Sequence, residues 1–293
     1  MKKLLLAAIA ALAMTSVAHA EPETFRLCTG NGALNYFKAG HMFKAASTSV
    51  KIEVIETKGS LDNLDKLSNG QCDGAFVQSD AMLVYSSKNA KAISGMERAG
   101  VLYQEQAHMI CNRKLDLGRM VNLNKSHTVA VGPDGSGART TWDAFVLADK
   151  ARYSVVNTDS RSGVRALSAV AEGTQVQCAL VITALNSSFM KNDAQQQGDN
   201  VVLVGTDDRD MTKTAKDDRG NAVYTYGEIP AGTYPKIQPT GAVYGTKAIG
   251  TIQVDAIFVA NTNWINNNET AYDKLLRSFA AAKPQIQKLA QPQ

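Results

Sequence analysis

Short β-like runs alternate with helical apolar stripes from residue 25 onward, and the alternation restarts near residue 127; few architectures accommodate that order. Residues 25–29 read as a strand ending in a Gly/Asn turn. Tyr36, Ala39, Gly40 and Phe43 then fall at i, i+3, i+4 and i+7, a helical stripe for which Asn35 is a suitable N-cap. Val50, Ile52 and Val54 alternate with Lys51 and Glu53, as in a half-buried strand. Ser60 is placed to cap a helix that turns Leu61, Leu64 and Leu67 inward and stops at Gly70; residues 75–78 follow as another strand, with Ser79 as the next cap. Strands and helices at this spacing imply right-handed βαβ units around a mostly parallel sheet, an α/β fold.

The second round begins with a strand at 127–131, a glycine-rich turn, and a helix with Trp142, Phe145 and Val146 inward. A helix over 164–171 and strands over 177–183 and 201–204 continue it, and residues 206–221 are polar and charged. Past Pro239, β-like runs at 242–244 and 252–260 lead into a long helix with the stripe Tyr272, Leu275, Leu276 and Phe279, which Pro284 is expected to break or kink. Two lobes follow from this rhythm, one from 21–112 and 241–293, the other from 113–240. No solenoid repeat or low-complexity linker interrupts it.

The N-terminus reads as a leader, with Lys2 and Lys3 ahead of an apolar run and a small-residue site ending at Ala20. Cleavage there predicts a soluble protein outside the cytoplasm, in the periplasm. The 31 basic residues then fall to 29 against 27 acidic ones, a net charge of about +2 that implies neither nucleic acid nor membrane as partner. Cys28, Cys72, Cys111 and Cys178 enter a compartment where disulfides persist, yet none forms a CxxC. Three pairings are open to them, as are buried free thiols.

In open α/β sheets ligands bind where strands end and helices begin. Four such loops stand out: 29–32, 59–60, 78–80 and 132–137, rich in glycine, Ser, Thr and Asn. Glycine lets the backbone approach a ligand, and helix N-termini present free N–H groups and a positive dipole end, so the set describes an anion-binding cleft. The loop at 132–140 nearly spells a P-loop but lacks the lysine after Gly137, and Gly30-x-Gly32 lacks the third glycine of a dinucleotide fingerprint. Arg139 offers a bidentate carboxylate clamp; its alternative is a solvated arginine in the first helical turn. His41, His108 and His127 are scattered, with no HExxH and no GxSxG elbow, so neither a hydrolase nor any cofactor is expected. The acidic run Asp207, Asp208, Asp210, Asp217 and Asp218 does not fit an EF-hand, and no metal site is assigned to it.

Taken together, residues 29–40, 59–64, 73–80, 129–137 and 229–235 resemble the TAXI class of TRAP-associated extracytoplasmic solute receptors. The resemblance implies a type II periplasmic-binding-protein fold, two α/β lobes with a ligand cleft between them, and no enzyme activity. It implies a small carboxylate or dicarboxylate, such as a glutamate-like compound, delivered by a monomeric receptor to TRAP-type permease subunits. By that analogy Asn31, Tyr36, Ser60, Gln78, Ser136, Gly137 and Arg139 fall at or near the cleft, and Thr140 and Thr183 complete the candidate ligand set. Residues 179–186 depart from the family, which usually places a Gly-x-Pro turn after this strand. That departure motivates a second reading, a binding protein repurposed as a carrier or docking module for a bulkier solute or a protein.

Overall fold

The computed structural model describes residues 24–32, 34–241 and 245–290. The leader and the β-like run at 242–244 lie outside the described residues. In chain order the elements begin with β1 (Thr24–Gly30), α1 (Asn35–Ala46), β2 (Lys51–Glu56), α2 (Ser60–Ser68), β3 (Gly74–Gln78), α3 (Ser79–Lys88), the short α4 (Ala90–Ile93) and β4 (Met96–Asn112). They continue with β5 (Thr128–Ala130), α5 (Gly137–Ala148), α6 (Lys150–Tyr153), β6 (Asn157–Asp159), α7 (Gly163–Glu172), β7 (Cys178–Thr183) and a π-helical turn (Phe189–Ala194). Last come β8 (Val201–Val204), α8 (Met211–Thr214), β9 (Tyr224–Ile229), β10 (Ile249–Asn261), α9 (Thr262–Asn267) and α10 (Glu269–Lys288).

Among the described residues ten strands join one sheet in the order β2-β1-β3-β10-β4-β7-β5-β6, with β8 also on β4 and β9 also on β10. The sheet is mixed rather than mostly parallel. Parallel pairing joins β1 with β2 and β3, and β5 with β6 and β7, as the βαβ units require. Between these two groups run β4 and β10, antiparallel to each other and to their other neighbours. They belong to both halves: β10 pairs β9 through Ile249–Val254 and β3 through Ala256–Ala260, while β4 pairs β10 through Met96–Gln106 and β7 through Gln106–Cys111.

The period of two along the strands sorts their side chains between opposite faces. In the first half Phe25, Leu27, Phe76 and Phe258 pack beneath α1 and α10 with Phe43, Leu275 and Phe279. Cys28, Val77, Ile257 and Val259 meet Leu64 and Leu67 of α2 on the other face. In the second half Met109, Val129 and Leu180 pack with Trp142, Phe145 and Tyr153, whereas Ile110, Ala130 and Ala179 face Ala166, Leu167 and Val170 of α7. Gly40 is required where α1 crosses β1, because a Cβ there would stand 2.7 Å from Thr29 Cγ2.

Several local expectations change. Asn35, Ser60 and Ser79 are the first residues of their helices, one position past the N-caps Leu34, Gly59 and Gln78. The last helix continues through Pro284, which lies exposed, as far as Lys288. Only one N–H is lost there, and the inward residues Ala282 and Ile286 continue the buried stripe. The 17 residues of β4 had no assignment from periodicity.

The cysteines pair as Cys28–Cys72 and Cys111–Cys178. The first ties β1 to the turn before β3; the second joins residues opposite each other on β4 and β7. The bridges span sequence separations of 44 and 67 residues, and loops of that length correspond to about 4 kcal/mol each in the chain-entropy account. Non-reducing peptide mapping is expected to recover these two pairs and no free thiol, and the double variant Cys111→Ala/Cys178→Ala should lose about 4 kcal/mol in denaturant titration.

Candidate functional site

A cleft of about 410 Å³ opens where the two halves face each other. The first half contributes the turn at Gly30 and Asn31, the start of α1, residues 58–60, Gln78, and Tyr103 and Glu105 of β4. The second contributes Gly132, the start of α5, residues 161–163, the start of β7's exit loop, and Phe189. Four helices, α1, α2, α5 and α7, therefore begin at its wall. Leu34, Gly59 and Ser162, which precede three of them, give no side-chain cap, so among the described residues the N–H groups of those first turns lack a capping side chain. Ser136 does cap α5, its hydroxyl accepting from the Arg139 N–H at 3.3 Å and donating to the Val131 carbonyl at 3.3 Å.

The turns are shaped by backbone need. Gly132 and Gly135 hold φ near 82° and 81°, the left-handed region that suits glycine. Behind them Asn63, fully buried, donates to the carbonyls of Thr29 (2.9 Å) and Phe76 (2.7 Å) and accepts from Thr57 Oγ1. One amide thus fixes the ends of β1 and β3 against α2. Ser60 Oγ accepts from the Gln78 N–H at 3.0 Å, linking two of the turns that line the cleft directly.

The structure brings Asn31, Tyr36, Ser60, Gln78, Ser136, Gly137 and Thr183 together around this one cleft. Arg139 and Thr140 lie elsewhere. Arg139 Nε sits 3.3 Å from Asp143 and 3.8 Å from Asp134, and its guanidinium donates to Thr158 Oγ1 at 3.4 Å; Thr140 is wholly buried. For Arg139 the cause is helical geometry: each residue turns about 100°, so two residues after Gly137 its side chain has rotated about 200° from it. Arg161 is the arginine in the cleft wall, and it is held bidentately by Asp159 at 2.9 Å to both oxygens.

Sequence reasoning missed Arg161, Tyr103 and Glu105. Glu105 is the central acid of the cleft. Tyr36 donates to it at 3.3 Å, and burial pushes its carboxyl up to about 8, with nearby Asp80 adding to the shift. Asp80 lies behind the wall, buried, accepting from Thr141 at 2.6 Å and Tyr224 at 3.0 Å; burial raises it to about 6. No sequence signal singles out Glu105, which stands between Gln104 and Gln106. The acidic segment at 207–218 is occupied by cations of the chain: Asp207 pairs with Arg119, Asp208 with Arg152, and Asp217 and Asp218 with Arg98.

Raised acids favour the folded state when protonated, so Glu105 contributes stability at pH below about 4.5 that is lost as pH climbs through about 8. Glu105→Gln, which stays neutral, should match the parent melting temperature near pH 4.5 and exceed it by a growing margin up to pH 8–9. Thermal melts across that range check the sign.

Solved structures share this architecture. The periplasmic aliphatic sulphonate binding protein SsuA from Escherichia coli superposes with a TM-score of 0.55 at 14% identity, covering 90% of this chain and 73% of that one. The ligand-binding component of an ABC-type import system from Staphylococcus aureus, with zinc bound, gives 0.50 at 11% identity over 89% and 73%. YhfZ from Shigella flexneri gives 0.50 at 14% identity over 92% and 91%. These likenesses show the fold: two α/β lobes of the periplasmic-binding-protein type. Among curated proteins no match to the sequence is found. The sequence also matches the model of one family over residues 31–289.

Proposed function

Because the chain belongs to the NMT1-like family, we propose that it is a solute-binding receptor rather than an enzyme, holding a small organic anion between its lobes. The observation that carries this reading is the shared cleft itself, on whose wall four helix N-termini open beside Lys38 and Lys58. Unpaired N–H groups and positive dipole ends favour a carboxylate over a neutral solute. Ligand contacts from both lobes would stabilise the closed arrangement through differential affinity for that state. The narrower reading, a TAXI-class receptor in the periplasm delivering its solute as a monomer to a TRAP-type permease, is supported by the leader and by the ordered motifs. It adds nothing to the cleft chemistry.

Gln78 and Gly137 meet across the cleft: a Cβ on Gly137 would lie 2.7 Å from Gln78 Oε1. Gly137→Val therefore displaces Gln78 and should weaken ligand binding at least tenfold, while Arg139→Ala should stay within about twofold. A panel of carboxylates, amino acids and sulphonates screened by thermal shift is expected to contain a stabilising anion, by about 2.7 kcal/mol at a hundredfold excess over Kd. Stabilisation by uncharged or cationic solutes alone would overturn the anion reading. Retention of a periplasmic protein on the immobilised chain, with no small molecule in native mass spectrometry, would favour the docking module instead.

A further inference from the structure

The two walls of the cleft differ in chemistry. On the second half's sheet Ile110, Ala179 and Ala130 stand side by side in register across β4, β7 and β5, so they share one face. Ala166 and Leu167 of α7 and Phe189 of the π-helical turn close over that face, and all six line the cleft. Three are alanines, whose short side chains leave room between sheet and helix. Their backbone groups in β5 and β7 are committed to the sheet, and none of the six carries a side-chain donor or acceptor.

The facing wall is polar and incomplete. Tyr103 lines the cleft, is only 4% exposed, and its buried hydroxyl has no hydrogen-bond partner among the described residues. An orphaned buried hydroxyl costs free energy that a ligand acceptor recovers. Glu105, two residues on, presents its carboxyl to the same space beside Tyr36. A second carboxylate lodged among these six side chains would find no partner on them. A molecule with one polar head and an apolar body matches both the Tyr103 hydroxyl and this apolar recess, in keeping with pockets that are mostly apolar with a few fixed polar groups.

We propose, on the receptor reading above, that the ligand is an amphipathic monocarboxylate, its head meeting Tyr103 and Glu105 and its aliphatic body lodged against Ala130, Ala166, Leu167 and Phe189. This departs from the dicarboxylate that the TAXI resemblance implies. Each methylene withdrawn from water is worth about 0.8 kcal/mol, a factor of about four in affinity.

Isothermal titration of the mature protein with straight-chain monocarboxylates from butanoate to octanoate, the matching dicarboxylates and the matching n-alkylamines tests it. Affinity for the monocarboxylates should rise about fourfold per methylene until the chamber is full, with each dicarboxylate at least tenfold weaker than the monocarboxylate of equal length. Ala166→Leu fills the chamber and should cut octanoate affinity at least tenfold more than butanoate affinity. Leu167→Ala enlarges it and should shift the optimum to longer chains, so a folding defect in one variant leaves the other to decide. Carboxylate binding with no gain from chain length, or with dicarboxylates preferred, overturns the chamber and leaves the anion receptor standing. Alkylamine binding with the same gain, and none by carboxylates, overturns the anion receptor and the proposed head while retaining the apolar chamber. Failure of all three series overturns both.

Discussion

Everything in this molecule hangs from the antiparallel pairing of β4 and β10. From Met96 opposite Asn261 to Gln106 opposite Gln253 these strands run together through the middle of the sheet, and each continues into pairings specific to one half. Their register shifts between Ala256 and Ile257 and between Phe258 and Val259, and such bulges bend a strand and sharpen its local twist. Two continuous strands, rather than a flexible tether, thus set the relation between the lobes, and a bend in them is the motion by which such a fold closes. Side chains brace the same region. Arg98 at the start of β4 holds Asp217 and Asp218, Arg219 reaches Glu97, and Asp80 of α3 ties Thr141 of α5 to Tyr224 of β9.

That pairing also explains where the chemistry sits. Tyr103 and Glu105 belong to the stretch of β4 that crosses between halves, so the polar floor of the cleft rides on the strand that would bend. Burial of an acid in such a place is tolerated because it is held by a phenol and, at neutral pH, stays uncharged. The helix N-termini come from units outside the crossing, two from each half. On the receptor reading, a ligand touching both sets would favour whichever angle between lobes lets it reach both.

Much of the fold was legible in the sequence where periodicity was strong. The stripe of Tyr36, Ala39, Gly40 and Phe43 found α1, the alternation around Ile52 found β2, and the glycine-rich segment at 132–137 found the turn into α5. The mixed sheet was not legible. βαβ spacing reports only the local parallel units, and β4 hides among alternating and non-alternating residues because it is buried on both faces over part of its length. Seven residues that line the cleft, at strand ends and helix starts, were legible because glycine and hydroxyl-rich turns mark those places. Arg139 misled because charge in a first helical turn says nothing about which way the side chain rotates. Arg161 and Glu105 needed tertiary knowledge, since each matters through what stands opposite it.

The two cross-links fall on either side of the crossing: Cys28–Cys72 joins β1 to the turn before β3 in the first half, and Cys111–Cys178 joins β4 to β7 in the second. Neither spans the gap between lobes, so oxidation firms each body while leaving the angle between them free. Where the surroundings are reducing, both bridges open and each body loses cohesion separately; where they are oxidising, the bridges persist.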